Sequence, residues 1–167
     1  MSYRNKTYVA FASENIHLYR LMEAWRDNDK IDFQFYDAHD LYISLDTSKP
    51  ETIKRNLRER MKSVKQVVLI GTPEGKKKGG DGKSFLAYEV SIMMEFDLPV
   101  VIANHDGDKK VDRNFIPNPL LDADYYTLSV AFSPAIIKYA LDHYAPGYAT
   151  SGKSGPHYYE QHIYDKL

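Results

Sequence analysis

The 167-residue sequence contains no cysteine, and this absence excludes several classes of site. Disulfide bonds, cysteine-ligated zinc and iron–sulfur clusters all need cysteine sulfur, so none of them contributes to this chain. Net charge is also nearly absent, because 22 lysines and arginines balance 23 aspartates and glutamates. Without a dominant positive charge, neither a nucleic acid nor an acidic membrane is expected as a partner.

Long apolar runs are missing as well. No stretch approaches the roughly 20 apolar residues of a membrane span, and the N-terminal segment "MSYRNKTYVAF" has no apolar region long enough for a signal peptide. We therefore expect a soluble, cytoplasmic protein whose length fits one domain with a proper core.

Short apolar strand patterns alternate with amphipathic helix patterns along the chain. This alternation predicts an α/β, flavodoxin-like fold of three layers, with a parallel, doubly wound sheet of about five strands and right-handed crossovers. Ligands of such folds bind at the carboxyl ends of the strands, so functional residues are expected after Ala12, Asp37, Gly71 and Ala103. The predicted strands cover residues 7–12, 32–38, 66–71, 98–103 and 125–129, and the predicted helices cover residues 16–25, 53–64, 84–96 and 134–144.

The segment "VVLIGTPEGKKKGGDGKS", residues 67–84, resembles a phosphate-binding P-loop because it ends in Gly-Lys-Ser after an apolar strand. The motif also requires a glycine five positions before Gly82, where the backbone curls around a phosphate, and that position is Lys77. The P-loop interpretation therefore fails. Two interpretations of residues 72–83 remain: a solvated loop, or a group of lysines that attracts phosphate without forming the motif.

Glu89 lies inside the apolar arc of the 84–96 helix, between Met93 and Phe96 on the helix circumference. The pattern leaves three alternatives for its carboxylate: it reaches solvent at the edge of the arc, it pairs with a cation, or it lies in a partly dry pocket. In the last case, desolvation raises the pKa of the carboxyl group and suits it to chemistry. The polar side of the helix carries Ser84, Tyr88, Ser91 and Glu95.

No metal site is predicted. The segment "NHDGDKKVDRN" suggests a calcium loop through Asn104, Asp106 and Asp108, but it lacks the glycine at position six and the glutamate at position twelve. The histidines show no pair at zinc-binding spacing with a third ligand. A surface turn is the expected structure of this segment.

Four segments together resemble the TIR-like proteins of the ThsB type from bacterial Thoeris antiphage systems. They are "YVAFASEN", "FQFYDAHDLY", "VVLIG" and "SFLAYEV", in the order and approximate spacing of TIR domains, and the resemblance covers roughly Thr7 to Ala145. The family has an aromatic residue, usually tryptophan, four positions before a glutamate, and here Phe85 precedes Glu89. Residues 1–147 are thus expected to form a TIR-like domain, followed by a flexible or docking tail, residues 148–167.

The resemblance implies an enzyme that consumes NAD as a substrate and needs no cofactor. Catalytic TIR domains cleave the nicotinamide–ribose bond, and Thoeris members make a cyclic or conjugated ADP-ribose that activates a partner effector. Glu89 would be the catalytic carboxylate. Self-assembly is a further expectation. The family's substrate-binding positions correspond here to Phe11, Ala12, Ser13, Asp37, His39, Ser84, Phe85 and Tyr88.

Several of these positions also have a structural interpretation. Phe11 either stacks on a ring of the substrate or belongs to the core, and Asp37 either binds a ribose hydroxyl or caps a turn. Ser84 either contacts substrate or caps its helix. Two alternatives to the enzyme remain at this point: a non-catalytic TIR-like scaffold, and a nucleoside deoxyribosyltransferase-like enzyme that also uses a glutamate against an N-glycosidic bond.

Overall fold

The computed structural model describes residues 2–37 and 49–167, and within these ranges six parallel strands form one sheet. The strand order is β2-β1-β3-β4-β5-β6, which confirms the predicted parallel, doubly wound α/β fold. In chain order the elements are β1 Lys6–Ala10, α1 Ile16–Asp27, β2 Tyr36–Asp37, α2 Pro50–Met61, β3 Gln66–Gly71, α3 Pro73–Gly79, α4 Phe85–Glu95, β4 Val100–Asn104, α5 Asn118–Asp122, β5 Thr127–Ala131, α6 Pro134–Gly147, β6 Pro156–Tyr158 and α7 Gln161–Asp165.

Two apolar clusters hold the helices on opposite faces of the sheet. On the first face, α1 and α6 pack over alternate strand residues that include Val68 and Val101. On the second face, α2 and α4 pack over the intervening residues, such as Val67 and Val100. Every residue of β3, β4 and β5 is buried. Their continuous β-branched runs therefore reflect strands that are covered on both sides.

The second strand is shorter than the sequence predicted. Within the described residues only Tyr36 and Asp37 pair with β1, whereas a strand over residues 32–38 was expected. Phe33 and Phe35 are nevertheless buried, with ring centres 5.5 Å apart. The alternating apolar residues therefore reflect packing into the core. They begin before the paired residues of β2, which lies at the edge of the sheet and has β1 as its neighbour.

The lysine-rich segment after β3 begins as a helix and not as the expected loop. The Thr72 hydroxyl accepts a hydrogen bond from Gly75 N at 2.8 Å, and Pro73 occupies the first helical position. Both are strong helix-start signals. Lys76, Lys77 and Lys78 fall in the last turn, where positive charge complements the helix dipole. The sequence did not predict this helix, because Gly75 and Gly79 disfavour helix formation and outweigh the start signals at Thr72 and Pro73.

The C-terminal residues add a sixth strand and a short helix to the domain. β6 pairs with the outer edge of β5, and Ala131 N at the end of β5 donates to the Tyr164 hydroxyl at 3.1 Å.

The crossover from β5 to β6 differs in hand from the earlier ones. Across the sheet, the chain moves from β5 to β6 in the same direction as from β3 to β4, but the connecting helix α6 lies on the opposite face from α4. This last crossover therefore has the opposite hand to the others, whereas one hand was expected throughout. The cluster on the first face fixes α6 independently of β6.

Two tyrosine hydroxyls, one on the buried Tyr144 of α6 and one on the half-buried Tyr125, bond to the backbone at the amino ends of β4 and β5. The Tyr144 hydroxyl accepts from Val100 N at 2.9 Å and donates to Tyr126 O at 2.8 Å, while the Tyr125 hydroxyl donates to Leu98 O at 2.8 Å. Burial raises the pKa of Tyr125 to about 12 and raises that of Tyr144 well above its ordinary value. The folded state therefore keeps these hydroxyls protonated at a pH where the unfolded chain loses the protons.

Alkaline pH is expected to destabilise the protein through these tyrosines. Below the ordinary tyrosine pKa of about 10 both states are protonated and the stabilisation is complete, and it is lost as the pH rises towards 12. The urea midpoint should fall over this range, and Tyr125→Phe should make the fall shallower. Tyrosinate absorbance follows the ionisation. An identical pH dependence in Tyr125→Phe and the wild type would contradict the assignment to Tyr125.

Among the described residues, no helix combines the length and apolar character needed to cross a membrane.

Candidate active site

Glu89 is fully buried in the second turn of α4. Its relative exposure is 0%, so the alternative that its carboxylate reaches solvent at the edge of the apolar arc is excluded. Nearly the whole of α4 from Leu86 to Met93 is buried, since the helix packs on the sheet and also against α2 and α3. A glutamate within such a helix incurs a desolvation cost that a purely structural position rarely requires.

The turn before α4 is fixed by Asp81. One oxygen of its carboxylate accepts from Lys83 N at 2.9 Å and from Ser84 N at 2.8 Å, while the Ser84 hydroxyl donates to the other oxygen. Partial desolvation raises the pKa of Asp81, but these hydrogen bonds outweigh it and hold the pKa below its ordinary value. Ser84 occupies the N-cap position of α4, although its side chain makes no capping hydrogen bond.

The two aromatic candidates on α4 differ in exposure. Phe85, one turn before Glu89, is half-buried and packs against the cluster on the second face. Tyr88 is 8% exposed, and the Lys54 ammonium from α2 lies 5.2 Å from its ring centre. Phe85 is therefore the aromatic residue of this helix with the more accessible side chain.

The segment after β1 divides between the two faces of the sheet. Phe11 stacks on Tyr19 with ring centres 4.9 Å apart, in the core cluster of the first face. Ala12 belongs to the cluster of the second face, which also contains Tyr88 from α4. Ser13 is exposed, and its hydroxyl donates to Glu14 at 3.0 Å. Ala12 and Ser13 thus approach the α4 side, whereas Phe11 is part of the core on the other face.

The remaining two candidates lie at and beyond the end of β2. Asp37 pairs with Thr7 in the strand ladder, which places its backbone at the edge of the sheet. His39 lies outside the described residues.

A buried hydrogen bond joins the loops after β1 and β3, and sequence reasoning missed it. The Thr72 hydroxyl donates to Asn15 Oδ1 at 2.7 Å, and both residues are at least 95% buried. The sequence indicated only that each residue follows the carboxyl end of a strand, where functional residues of such folds lie. The bond fixes the two loops that flank the crevice between neighbouring strands β1 and β3, where the strand order reverses.

α3 is docked firmly against the loop that follows β4. The Lys76 ammonium donates to Arg113 O at 2.8 Å, Ile116 O at 3.1 Å and Asn118 Oδ1 at 2.9 Å. At Gly79, a Cβ atom would lie 2.6 Å from Pro117 Cγ and 3.5 Å from Val90 Cγ2. The last turn of α3 therefore touches α4 at Val90, the residue that follows Glu89 in the sequence.

The segment after β4 forms the surface turn that the sequence predicted. Asp106 and Asp108 accept hydrogen bonds from backbone amides two residues further on, at 3.0 and 2.9 Å, and Asn104 Nδ2 donates to Asp108 O and Lys110 O. Their carboxylates are thus used within the turn. Among the described residues, no group of three or more His, Asp or Glu side chains is arranged to hold a metal ion.

A doubly wound parallel sheet is the architecture of TIR-like and flavodoxin-like domains, and here a fully buried glutamate lies on α4, between the third and fourth strands. The family described as "Thoeris protein ThsB, TIR-like domain" matches residues 8–110, which is more than half of the chain and includes Glu89. The chain belongs to this family, which implies a TIR-type role in antiphage defence. No curated protein matches the chain.

Proposed function

We propose that this protein cleaves the nicotinamide–ribose bond of NAD and releases a cyclic or conjugated ADP-ribose that activates a partner effector. The observation that carries the proposal is the full burial of Glu89 on α4, within a domain of the ThsB family. Residues at the ends of β1 and β3 flank the crevice in which a nucleotide binds in folds of this kind.

The chemistry suits a single carboxylate. Breaking the N-glycosidic bond builds positive, oxocarbenium-like charge on the ribose, which a nearby carboxylate stabilises or traps. Glu89 also accepts hydrogen bonds from ribose hydroxyls in this proposal and so orients the sugar. Nicotinamide leaves as a neutral ring, so no acid is needed to protonate the leaving group.

The complete burial of Glu89 also has a consequence for regulation. Substrate reaches a carboxylate of 0% exposure only when covering groups move, so we expect low basal activity that rises on infection or self-assembly. The same burial supports a second candidate, a TIR-like scaffold without turnover.

Product analysis separates these functions. The protein is incubated with NAD or with deoxynucleosides, with and without an extract of phage-infected cells, and products are identified by mass spectrometry. Nicotinamide release that depends on Glu89 supports the proposal, and the mass of the second product shows whether it is cyclic or conjugated. Absence of turnover by well-folded protein under every condition would favour the scaffold, and cleavage of deoxynucleosides alone would identify a deoxyribosyltransferase-like enzyme.

A further inference from the structure

Lys78 links α3 to the loop that follows β1. Its ammonium donates to Glu14 Oε1 at 2.7 Å and approaches the Ser13 hydroxyl at 3.5 Å. Lys76, two residues earlier, fixes the same helix to the loop after β4. α3 therefore spans the carboxyl edge of the sheet between the β4 side and the β1 side, and Lys78 lies at the β1 end of this span.

Next to Lys78, the main chain of α3 contacts α4, the helix that carries Glu89. A Cβ atom added at Gly79 would be in van der Waals contact with α4, 3.5 Å from Val90 Cγ2, and Val90 is the residue after Glu89. One end of the Lys78 side chain is thus tied to the helix of the candidate catalytic acid. The other end reaches Ser13, in the segment that lines the substrate in the family resemblance.

The two lysines differ in how easily they can exchange partners. Lys76 donates to three oxygens, and releasing it would undock α3. Lys78 and Glu14 form an ion pair whose side chains are 35% and 46% exposed, and exposed pairs contribute little to stability. The hydrogen bond from Lys78 holds the pKa of Glu14 below its ordinary value, so the carboxylate presents a full negative charge to the ammonium.

We propose that Lys78 binds the diphosphate of the dinucleotide substrate, exchanging the carboxylate of Glu14 for phosphate oxygens. Glu14 stands in for the phosphate when the protein is free of ligand. The assignment rests on the proposed function for the identity of the substrate. A lysine suits this exchange because its ammonium is a compact charge on a flexible stem, and because the diphosphate presents two negative charges where the carboxylate presents one.

Binding of ADP, which carries the diphosphate, and of adenosine, which lacks it, tests the proposal without turnover. By calorimetry, Lys78→Met is expected to weaken ADP binding about tenfold or more and to leave adenosine binding unchanged. Lys77→Met is the matched control, because Lys77 is the exposed neighbour in the same helix. Glu14→Gln should strengthen ADP binding, since it removes the competing carboxylate.

Three outcomes would overturn the proposal: no binding of ADP to the wild-type protein, equal losses in Lys77→Met and Lys78→Met, or weaker ADP binding in Glu14→Gln. Equal losses would indicate general attraction by a positive surface. Thermal unfolding of each variant verifies that α3 remains docked.

Kinetics extend the test to the reaction itself. Lys78→Met should raise KM for NAD about tenfold with kcat little changed, and should not affect cleavage of nicotinamide riboside, which has no phosphate. An equal rise in KM for both substrates would contradict a role in diphosphate binding. If no preparation releases nicotinamide from NAD, the proposed function fails while the ADP measurements still decide the role of Lys78.

Discussion

Replacing Glu89 with glutamine is expected to abolish nicotinamide release from NAD, with a loss of about 10³-fold or more in kcat. Glutamine keeps the shape of the side chain and its capacity to accept a hydrogen bond, but it carries no negative charge to stabilise the oxocarbenium-like ribose. Burial makes this loss large, because electrostatic stabilisation is stronger where water is excluded, and Glu89 is 0% exposed. Nicotinamide release under activating conditions measures the effect.

The matched control is Glu95→Gln, which makes the same change of charge on the same helix. Glu95 is 44% exposed and pairs with Arg58 at 3.0 Å across the surface of α2 and α4. It lies at the far end of α4, so its replacement should leave the rate within about twofold of wild type, because an exposed pair contributes little. Activity that survives in Glu89→Gln, or is lost equally in Glu95→Gln, would exclude Glu89 as the catalytic carboxylate.

Gly79→Ala is expected to destabilise the protein by about 1–3 kcal/mol, although alanine is the better helix former. The new Cβ would lie 2.6 and 2.9 Å from two carbons of the Pro117 ring, which is rigid and cannot rotate away. The last turn of α3 must therefore shift away from the loop after β4. Urea unfolding measures the loss of stability. The same shift should displace Lys78, so ADP binding should weaken in parallel.

Gly147→Ala is the control for this substitution. Gly147 is the last residue of α6, has φ of −89°, and offers open space around an added Cβ, with no atom within 4 Å. Alanine there is expected to be neutral or to stabilise by up to about 1 kcal/mol, through a smaller loss of backbone entropy on folding. Equal stability changes in the two alanine variants would show that the contact with Pro117 is not tight.

The elements with a strong local pattern could be predicted closely. The helix expected over residues 84–96 is observed at Phe85–Glu95, and β3 is observed at the predicted residues, Gln66–Gly71. Both carry long apolar patterns that tertiary contacts reinforce. The same periodicity places Glu89 within the apolar arc of α4, where an acidic side chain is unusual, and so distinguishes it from Glu95 on the polar side.

Elements with a weak or contradictory pattern could not be predicted. α3 was missed because Gly75 and Gly79 are poor helix formers, and Gly79 is required only by its contact with Pro117. β6 was missed because "PHY" begins with proline and shows no strand pattern, and it pairs only because the outer edge of β5 accepts it. In both cases the neighbour that decides the structure lies far away in sequence.

The sequence by itself determined the α/β class, the order of β1 to β5 and of the helices α1, α2, α4 and α6 along the chain, and the presence of an acid on the apolar side of α4. These are local properties, because periodicity and capping act over a few residues. Only the tertiary structure decided that Glu89 is fully buried and that Lys78 reaches Glu14, 64 residues earlier. Such contacts depend on how the loops after β1 and β3 meet at one edge of the sheet, which no local pattern encodes.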